Sequence, residues 1–410
     1  MTDMSQTSAG EPVRFSRRGL LAVGGAGILG AAGGYLLGHE TQAPPESPTV
    51  DAPPLSSAEV PYPFYGAHQS GISTPAQLHA AYVGVNLKER TRDSIEAVLR
   101  LVSDDAARMM RGQPALADPE GMLSVPSAGL TITVGLGHAL FEVPGMTMRK
   151  PEAFRALPAF SNDAIEPGWG DTDFLIHIGS DDPLQLAHTI RVITLDLSTL
   201  TDVAWIQKGF RAVAPVSGAT GRNLMGQVDG TVNPIPGSAA FDETVWMQSP
   251  STAIAGGTVM IVRRIRMLLN TWDALDRDAK ELVIGRSLTN GAPLGAVNET
   301  DPLPLDATDE LGLPVIPRDS HARLAHATTE KSRILRRPYS YDHGMRNGTN
   351  DVGLLFVAYT QDPQTSFIPM QQRLAKSDAL NRWIRTIGSA SYFAPPGARE
   401  GSFIGEGLLS

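Results

Sequence analysis

The sequence predicts an α+β fold built on antiparallel sheets, and three observations carry that expectation. Short apolar runs rich in β-branched and aromatic residues alternate with stretches whose apolar residues recur at three and four. No stretch shows the strict βαβ alternation with a Gly-rich first turn that marks a doubly wound parallel sheet. The length of 410 residues, 42% hydrophobic and 19% charged, supports two domains with cores of their own, the halves meeting near residues 215–255.

Residues 1–43 read as a leader outside the fold. Arg14, Arg17 and Arg18 precede an uncharged run from Gly19 to Gly38 whose eight glycines make it a poor helix former. Ser16-Arg17-Arg18-Gly19-Leu20-Leu21 resembles a twin-arginine export signal. The competing reading is a permanent anchor, because ~20 apolar residues span a bilayer, and the glycine content argues against it. Thr41-Gln42-Ala43 is a candidate cleavage point, although Pro44 is an awkward residue to follow a cut. Within the run, Gly25-Ala26-Gly27-Ile28-Leu29-Gly30 matches the dinucleotide pattern GxGxxG, but no strand precedes it and no βαβ unit surrounds it. Residues 44–62 form a linker held extended by proline, and the body divides into 63–218 and 219–410.

In the body, Leu130–Leu136, Phe174–Ile178, Val259–Ile265 and Leu354–Tyr359 read as strands. Helical spacing covers Thr91–Val102, Leu184–Leu195, Thr271–Arg286 and Met370–Ile387. In the Thr271 segment the early Asp273, Asp276 and Asp278 and the late Arg286 suit the helix dipole.

Composition removes several function classes. With no cysteine, the chain has no disulfide, zinc–thiolate site, iron–sulfur cluster or thiol nucleophile. A net charge of −9 argues against non-specific binding to nucleic acid or anionic membrane. The motifs GxSxG, HExxH and GxxxxGK[ST] are all missing, and the nine histidines form no i, i+4 pair.

Two stretches stand out. His321 and His326 share a segment with Arg318, Arg323, Arg333, Arg336 and Arg337. Imidazole is a common haem-iron ligand and guanidinium a partner of carboxylates and developing anions, yet read alone the segment is a solvated basic loop. Gly226-Gln227-Val228-Asp229-Gly230, running on to Asn233-Pro234, is on its own a turn.

Together these stretches resemble the dye-decolorizing peroxidases. Gly226-Gln227-Val228-Asp229-Gly230 matches that family's GxxDG motif, Ile316–Ala325 its proximal-histidine segment, and Leu335-Arg336-Arg337-Pro338-Tyr339 its distal-arginine segment. Pro63–Ile72 opens the domain as in the family, and Phe356–Tyr359, Gln371–Leu374, Gly388–Ala390 and Pro395–Gly397 close it. The resemblance spans roughly residues 60–410, with departures at Pro338 and His326.

What the resemblance implies is specific. The fold is two ferredoxin-like α+β halves, with one b-type haem (heme b) per chain held mainly by the C-terminal half. His321 is the iron ligand, and Asp378 is the carboxylate on its other ring nitrogen; the alternative for Asp378 is a solvated position on its helix. Asp229 shuttles a proton of hydrogen peroxide and Arg336 stabilises the departing oxygen, giving a ferryl intermediate that oxidises dyes, phenolics or similar one-electron donors. Gly230, Thr231 and Val232 line one haem edge, and His326, Ala327 and Thr328 another, with Arg336 also touching the cofactor. Trp383, Tyr339, Tyr341 and Tyr392 are candidates to relay electrons. The partners are peroxide, small reducing substrates and the twin-arginine translocation machinery, with no nucleic acid. The export signal places the protein in the periplasm, in the cell envelope or outside the cell. The alternative function is a periplasmic haem-handling protein that releases iron from haem or delivers haem. A third reading is a non-catalytic ligand-binding protein.

Overall fold

The computed structural model describes residues 61–125, 128–146, 149–212, 220–346 and 348–410. Residues 1–43, read above as an export signal, and all but the end of 44–62 lie outside the described residues. The first half runs β1 (His79–Leu87), α1 (Arg92–Met109), β2 (Thr131–Leu136), β3 (Phe174–Ser180), α2 (Pro183–Asp196) and β4 (Thr201–Phe210). The second contains α3 (Ala239–Val245), β5 (Thr258–Met267), α4 (Leu269–Asp273), α5 (Arg277–Ile284) and α6 (His321–Ala325). It continues with β6 (Leu335–Arg336), β7 (Tyr339–Arg346), β8 (Thr349–Thr360), α7 (Phe367–Ser377), β9 (Ile384–Ala394) and α8 (Glu406–Leu409).

Local chemistry sets the helix limits. Thr91 caps α1 by accepting from the Ser94 amide, and Asp182 caps α2 ahead of Pro183 at the first helical position. Two helical expectations are corrected. Thr271–Arg286 is not one helix: Asp276 accepts from the Ala279 amide and starts α5 afresh, and Gly285 ends it at φ +83°. Met370–Ile387 is not one helix either. Asp378 leaves the helical conformation at the end of α7, its side chain takes the Leu380 amide, and the chain enters β9 at Ile384.

Each half carries four main strands in the same order, fourth–first–third–second: β4-β1-β3-β2 and β9-β5-β8-β7. All pairings between these strands are antiparallel. The two sheets meet at both edges, through Phe210 against Ser340 and Leu136 against Phe393, so the eight strands close on one another. Most strands then bury both faces, while β4 and the end of β7 keep exposed residues. Tyr82 and Leu175 from the first sheet pack inside against Met260, Val357, Tyr359 and Tyr392 from the second. The opposite faces carry Val83, Val134 and Ile176, which pack with the apolar stripe of α1, including Ile95 and Leu99.

The outer face of the second sheet positions the site. Arg263, Ile265 and Met267 of β5 and Leu354 and Phe356 of β8 all reach a cavity on that side. Where β9 pairs with β5 the register slips between Arg264 and Ile265 of β5, so that Thr386 rather than Ile387 pairs with Ile265. This bulge turns Thr386 and Ile384 toward the same cavity.

Candidate functional site

The cavity has a volume of about 510 Å³, a size typical of small-molecule and cofactor sites. Its floor is the outer face of the second sheet, one wall is α6 and α7, and the other is the loop 223–232 with residues 299–303.

His321 is the first residue of α6, and its Nδ1 donates to Asp378 Oδ2 at 2.6 Å. The Ala379 amide donates to Asp319 O at 2.9 Å, so the two segments are also joined through their backbones. Asp378 is buried, and its Oδ1 takes the Leu380 amide at 2.9 Å. It is therefore not the solvated carboxylate of the alternative reading. Burial alone would pull the His321 pKa down, but the charge and hydrogen bond of Asp378 outweigh it and hold the imidazole above its ordinary value.

Asp229 sits at the end of a tightly tied loop. Arg222 and Val228 bridge, Asp229 N donates to Gly221 O at 3.0 Å, and the Arg222 guanidinium holds the carbonyls of Gly226, Leu288 and Thr289. Gly226 and Gly230 lie at φ +83° and +123°, where side chains are rarely tolerated. A Cβ at Gly230 would meet nothing nearer than 3.6 Å, so backbone conformation and not space is what requires glycine there. Arg336, from β6, donates through Nη1 to Asp229 Oδ1 at 3.0 Å. The charges of both Arg336 and Asp229 act on His321, as expected of groups facing one cavity.

The cavity brings together Asp229, Gly230, Thr231 and Val232 from the loop, His321, His326, Ala327 and Thr328 from α6 and its exit, and Arg336 and Asp378. His326 follows α6 and is exposed. Arg337 points elsewhere: it is buried and holds the carbonyls of Thr74 and Pro75 and the Gln77 side chain. Of the aromatic candidates, Tyr339, Tyr341 and Tyr392 are fully buried, and the Trp383 ring lies 5.5 Å from that of Trp272.

The sequence reading missed three groups here. Arg222 ties down the Asp229 loop, Glu299 lines the cavity and accepts from Thr231 Oγ1 at 2.7 Å, and Asn233 pairs with the Arg336 backbone. None had a spacing signal, because apart from Gly226, four residues from Arg222, their side-chain partners lie 66 or more residues away.

Comparisons with known proteins agree with this geometry. The Dyp-type peroxidase N-terminal domain matches residues 69–211 and the C-terminal domain residues 220–399. The chain belongs to the Dyp-type peroxidases. It is 41% identical to a dye-decolorizing peroxidase of Thermobifida fusca, over 96% of this chain and 97% of that one. A deferrochelatase of Escherichia coli is 33% identical, with the same shares covered. The crystal structure of a DyP-type peroxidase from Cellulomonas bogoriensis superposes with a TM-score of 0.83 at 40% identity, covering 86% of this chain and 99% of that one. As a Dyp-type peroxidase the protein is a haem-dependent enzyme.

The residues present fit haem. The donor set is an imidazole whose Nδ1 is held by a buried carboxylate, leaving Nε2 for a metal, which is the usual outer partner of a ligating histidine. The cavity also has the volume and the largely apolar sheet floor that a porphyrin needs.

Proposed function

We propose that His321 holds the haem iron and that Asp229 and Arg336 act on peroxide at the opposite side of the cavity, for the oxidation of dyes, phenolics or similar one-electron donors. One observation carries the reading: a carboxylate–histidine pair and a carboxylate–arginine pair line one cofactor-sized cavity. Bound haem would supply the redox chemistry that cleaves the O–O bond and stores the oxidising equivalents.

The protein's own part is positioning and proton movement. Asp378 keeps the Nδ1 proton of His321 in place and directs the lone pair of Nε2 into the cavity. Asp229 Oδ1 is engaged by Arg336, so Oδ2 is the atom that takes a proton from the peroxide and returns it to the departing oxygen. Arg336 stabilises the negative charge that develops on that oxygen. Gly230, Thr231 and Val232 would flank the porphyrin on one side, and His326, Ala327 and Thr328 on the other.

The finer architecture belongs to the same proposal. Two ferredoxin-like halves, 63–218 and 219–410, are supported by the repeated strand order, and a haem held mainly by the second half is supported by the elements lining the cavity. Export by the twin-arginine machinery rests on the sequence around Arg17 and Arg18.

The deferrochelatase relatives favour a second reading, release of iron from haem. One experiment separates the two. Haem-loaded protein is mixed with peroxide and an anthraquinone dye, and the products are followed by absorbance and porphyrin fluorescence. Catalytic loss of dye with the Soret band preserved supports the peroxidase. Appearance of metal-free porphyrin without dye turnover supports iron release and overturns the first reading.

A further inference from the structure

Arg336 lies on a two-residue strand, and its backbone faces away from its neighbour. Leu335 and Arg337 serve the β8 side, where Arg337 N donates to Val357 O at 2.8 Å. Because backbone groups alternate along a strand, the N–H and C=O of Arg336 point to the other edge. There the Asn233 carboxamide meets both: Nδ2 donates to Arg336 O at 2.6 Å, and Arg336 N donates to Oδ1 at 2.9 Å. The side chain pairs with the strand as another peptide group would.

Asn233 lies four residues beyond Asp229, and its own amide donates to Gly230 O at 3.3 Å, closing a turn around Thr231 and Val232. One short loop therefore grips Arg336 twice, at the guanidinium through Asp229 and at the backbone through Asn233. Without the second grip the backbone polar groups of Arg336 lose their partners, and the guanidinium can swing relative to the carboxylate.

We propose that Asn233 is a positioning residue for the peroxide step, fixing the backbone of Arg336 so that its guanidinium and the Asp229 carboxylate keep their mutual geometry. The proposal rests on the reading of Asp229 and Arg336 given above.

The test is a double-mutant cycle on haem-loaded protein, with Asn233→Ala, Arg336→Leu and the pair, measured as the second-order rate of the Soret change after peroxide mixing. Asn233→Ala alone slows the reaction about tenfold to a hundredfold, the scale of a misplacement of roughly 1 Å. In the Arg336→Leu background it slows the reaction little further, since nothing remains to position. Equal slowing in both backgrounds overturns the proposal. If Arg336→Leu itself leaves the rate unchanged, the distal-pair reading fails instead, so the two failures are distinguishable.

A second readout needs no cofactor. In apo-protein, Asn233→Ala raises amide hydrogen exchange in the peptide containing Arg336, with the exchange of β5 and β9 unchanged. Unchanged exchange at Arg336 likewise overturns the proposal. Should the alanine variant fold poorly, Asn233→Asp keeps the acceptor for Arg336 N and removes the donor to Arg336 O. It is expected to slow the peroxide reaction by less than the alanine, again only where Arg336 is present; a wild-type rate in this variant counts against the proposal.

Discussion

His321 Nδ1 lies 2.6 Å from Asp378 Oδ2, and the Asp378 side chain is 1% exposed against 33% for the histidine. The buried partner is the carboxylate, and the half-open partner is the imidazole that faces the cavity. Asp378 is held at both oxygens, since the Leu380 amide donates to Oδ1. The imidazole is thereby fixed in tautomer and direction before any cofactor arrives.

Asp378→Asn keeps an acceptor for Nδ1 but removes the charge. Haem affinity of the apo-protein should fall about tenfold to a hundredfold, the usual scale for loss of such an outer partner. Titration of apo-protein with haemin checks this. His321→Ala should lose the axial nitrogen signature in electron paramagnetic resonance, while His326→Ala, altering an exposed residue, keeps it.

Arg336 and Arg337 are adjacent in sequence but belong to different structures. Arg336→Leu should slow the peroxide reaction by about 10²–10³, the scale of one lost donor in an active site. Arg337→Leu removes the donor to the carbonyls of Thr74 and Pro75 and to the buried Gln77 Oε1, and the last loss costs about 1–3 kcal/mol. It should lower the melting temperature and leave the peroxide rate per bound haem near wild type. Stopped-flow absorbance and thermal melts on the same samples separate the two, and a peroxide defect in Arg337→Leu equal to that of Arg336→Leu would contradict the assignment.

Gly230→Ala tests the loop by conformation alone. A Cβ has room, but φ of +123° is unfavourable for any side chain, and the expected strain is about 1–3 kcal/mol. The loop relaxes by moving Asp229, so peroxide reactivity falls more than stability does. Asp229→Asn should retain haem and slow the same reaction. A glycine variant as fast as wild type would mean that the loop tolerates the change without moving the carboxylate.

The site was more legible in the sequence than the sheet was. Asp229, His321 and Arg336 were named through the resemblance, whose motifs are local, although each segment read alone is a turn or a basic loop, and the three line one cavity. Strands β1 and β9 were missed for a physical reason: closure of the sheets buries one face and the elements packed outside cover the other, so HAAYVGVNL and IRTIGSASYFA lack the alternation that marks a half-exposed strand. Met370–Ile387 read as one helix because Leu374, Leu380, Ile384 and Ile387 keep roughly helical spacing, while the break comes from a single carboxylate, Asp378, capping the following turn. Asn233 was hidden by its own neighbour, since Asn-Pro reads as a turn and nothing local shows a partner 103 residues away.

The last prediction concerns pH and lies far from the cavity. Asp105, on α1, is buried, and burial together with the facing Asp196 carboxylate, and less so Asp104, pushes its pKa up to about 7, only partly opposed by Arg108. In the unfolded chain it titrates near the ordinary value of 3.8. Between those two limits the folded protein binds the proton that the unfolded chain has released. Stability therefore falls as pH rises from about 4 to about 7 and levels off above. His138 works in the other sense: burial, aided by Lys150, lowers its pKa from 6.5 to about 4, so its contribution is lost as pH falls through that window. The two oppose each other in wild-type protein, and a variant is needed to separate them. Asp105→Asn stays neutral at every pH, so its melting temperature should match wild type near pH 4 and exceed it at pH 8. The difference between the two proteins should grow steadily across the interval, because the His138 contribution cancels in the subtraction. A difference that is constant with pH would show that Asp105 ionises as freely in the folded protein as in the unfolded chain.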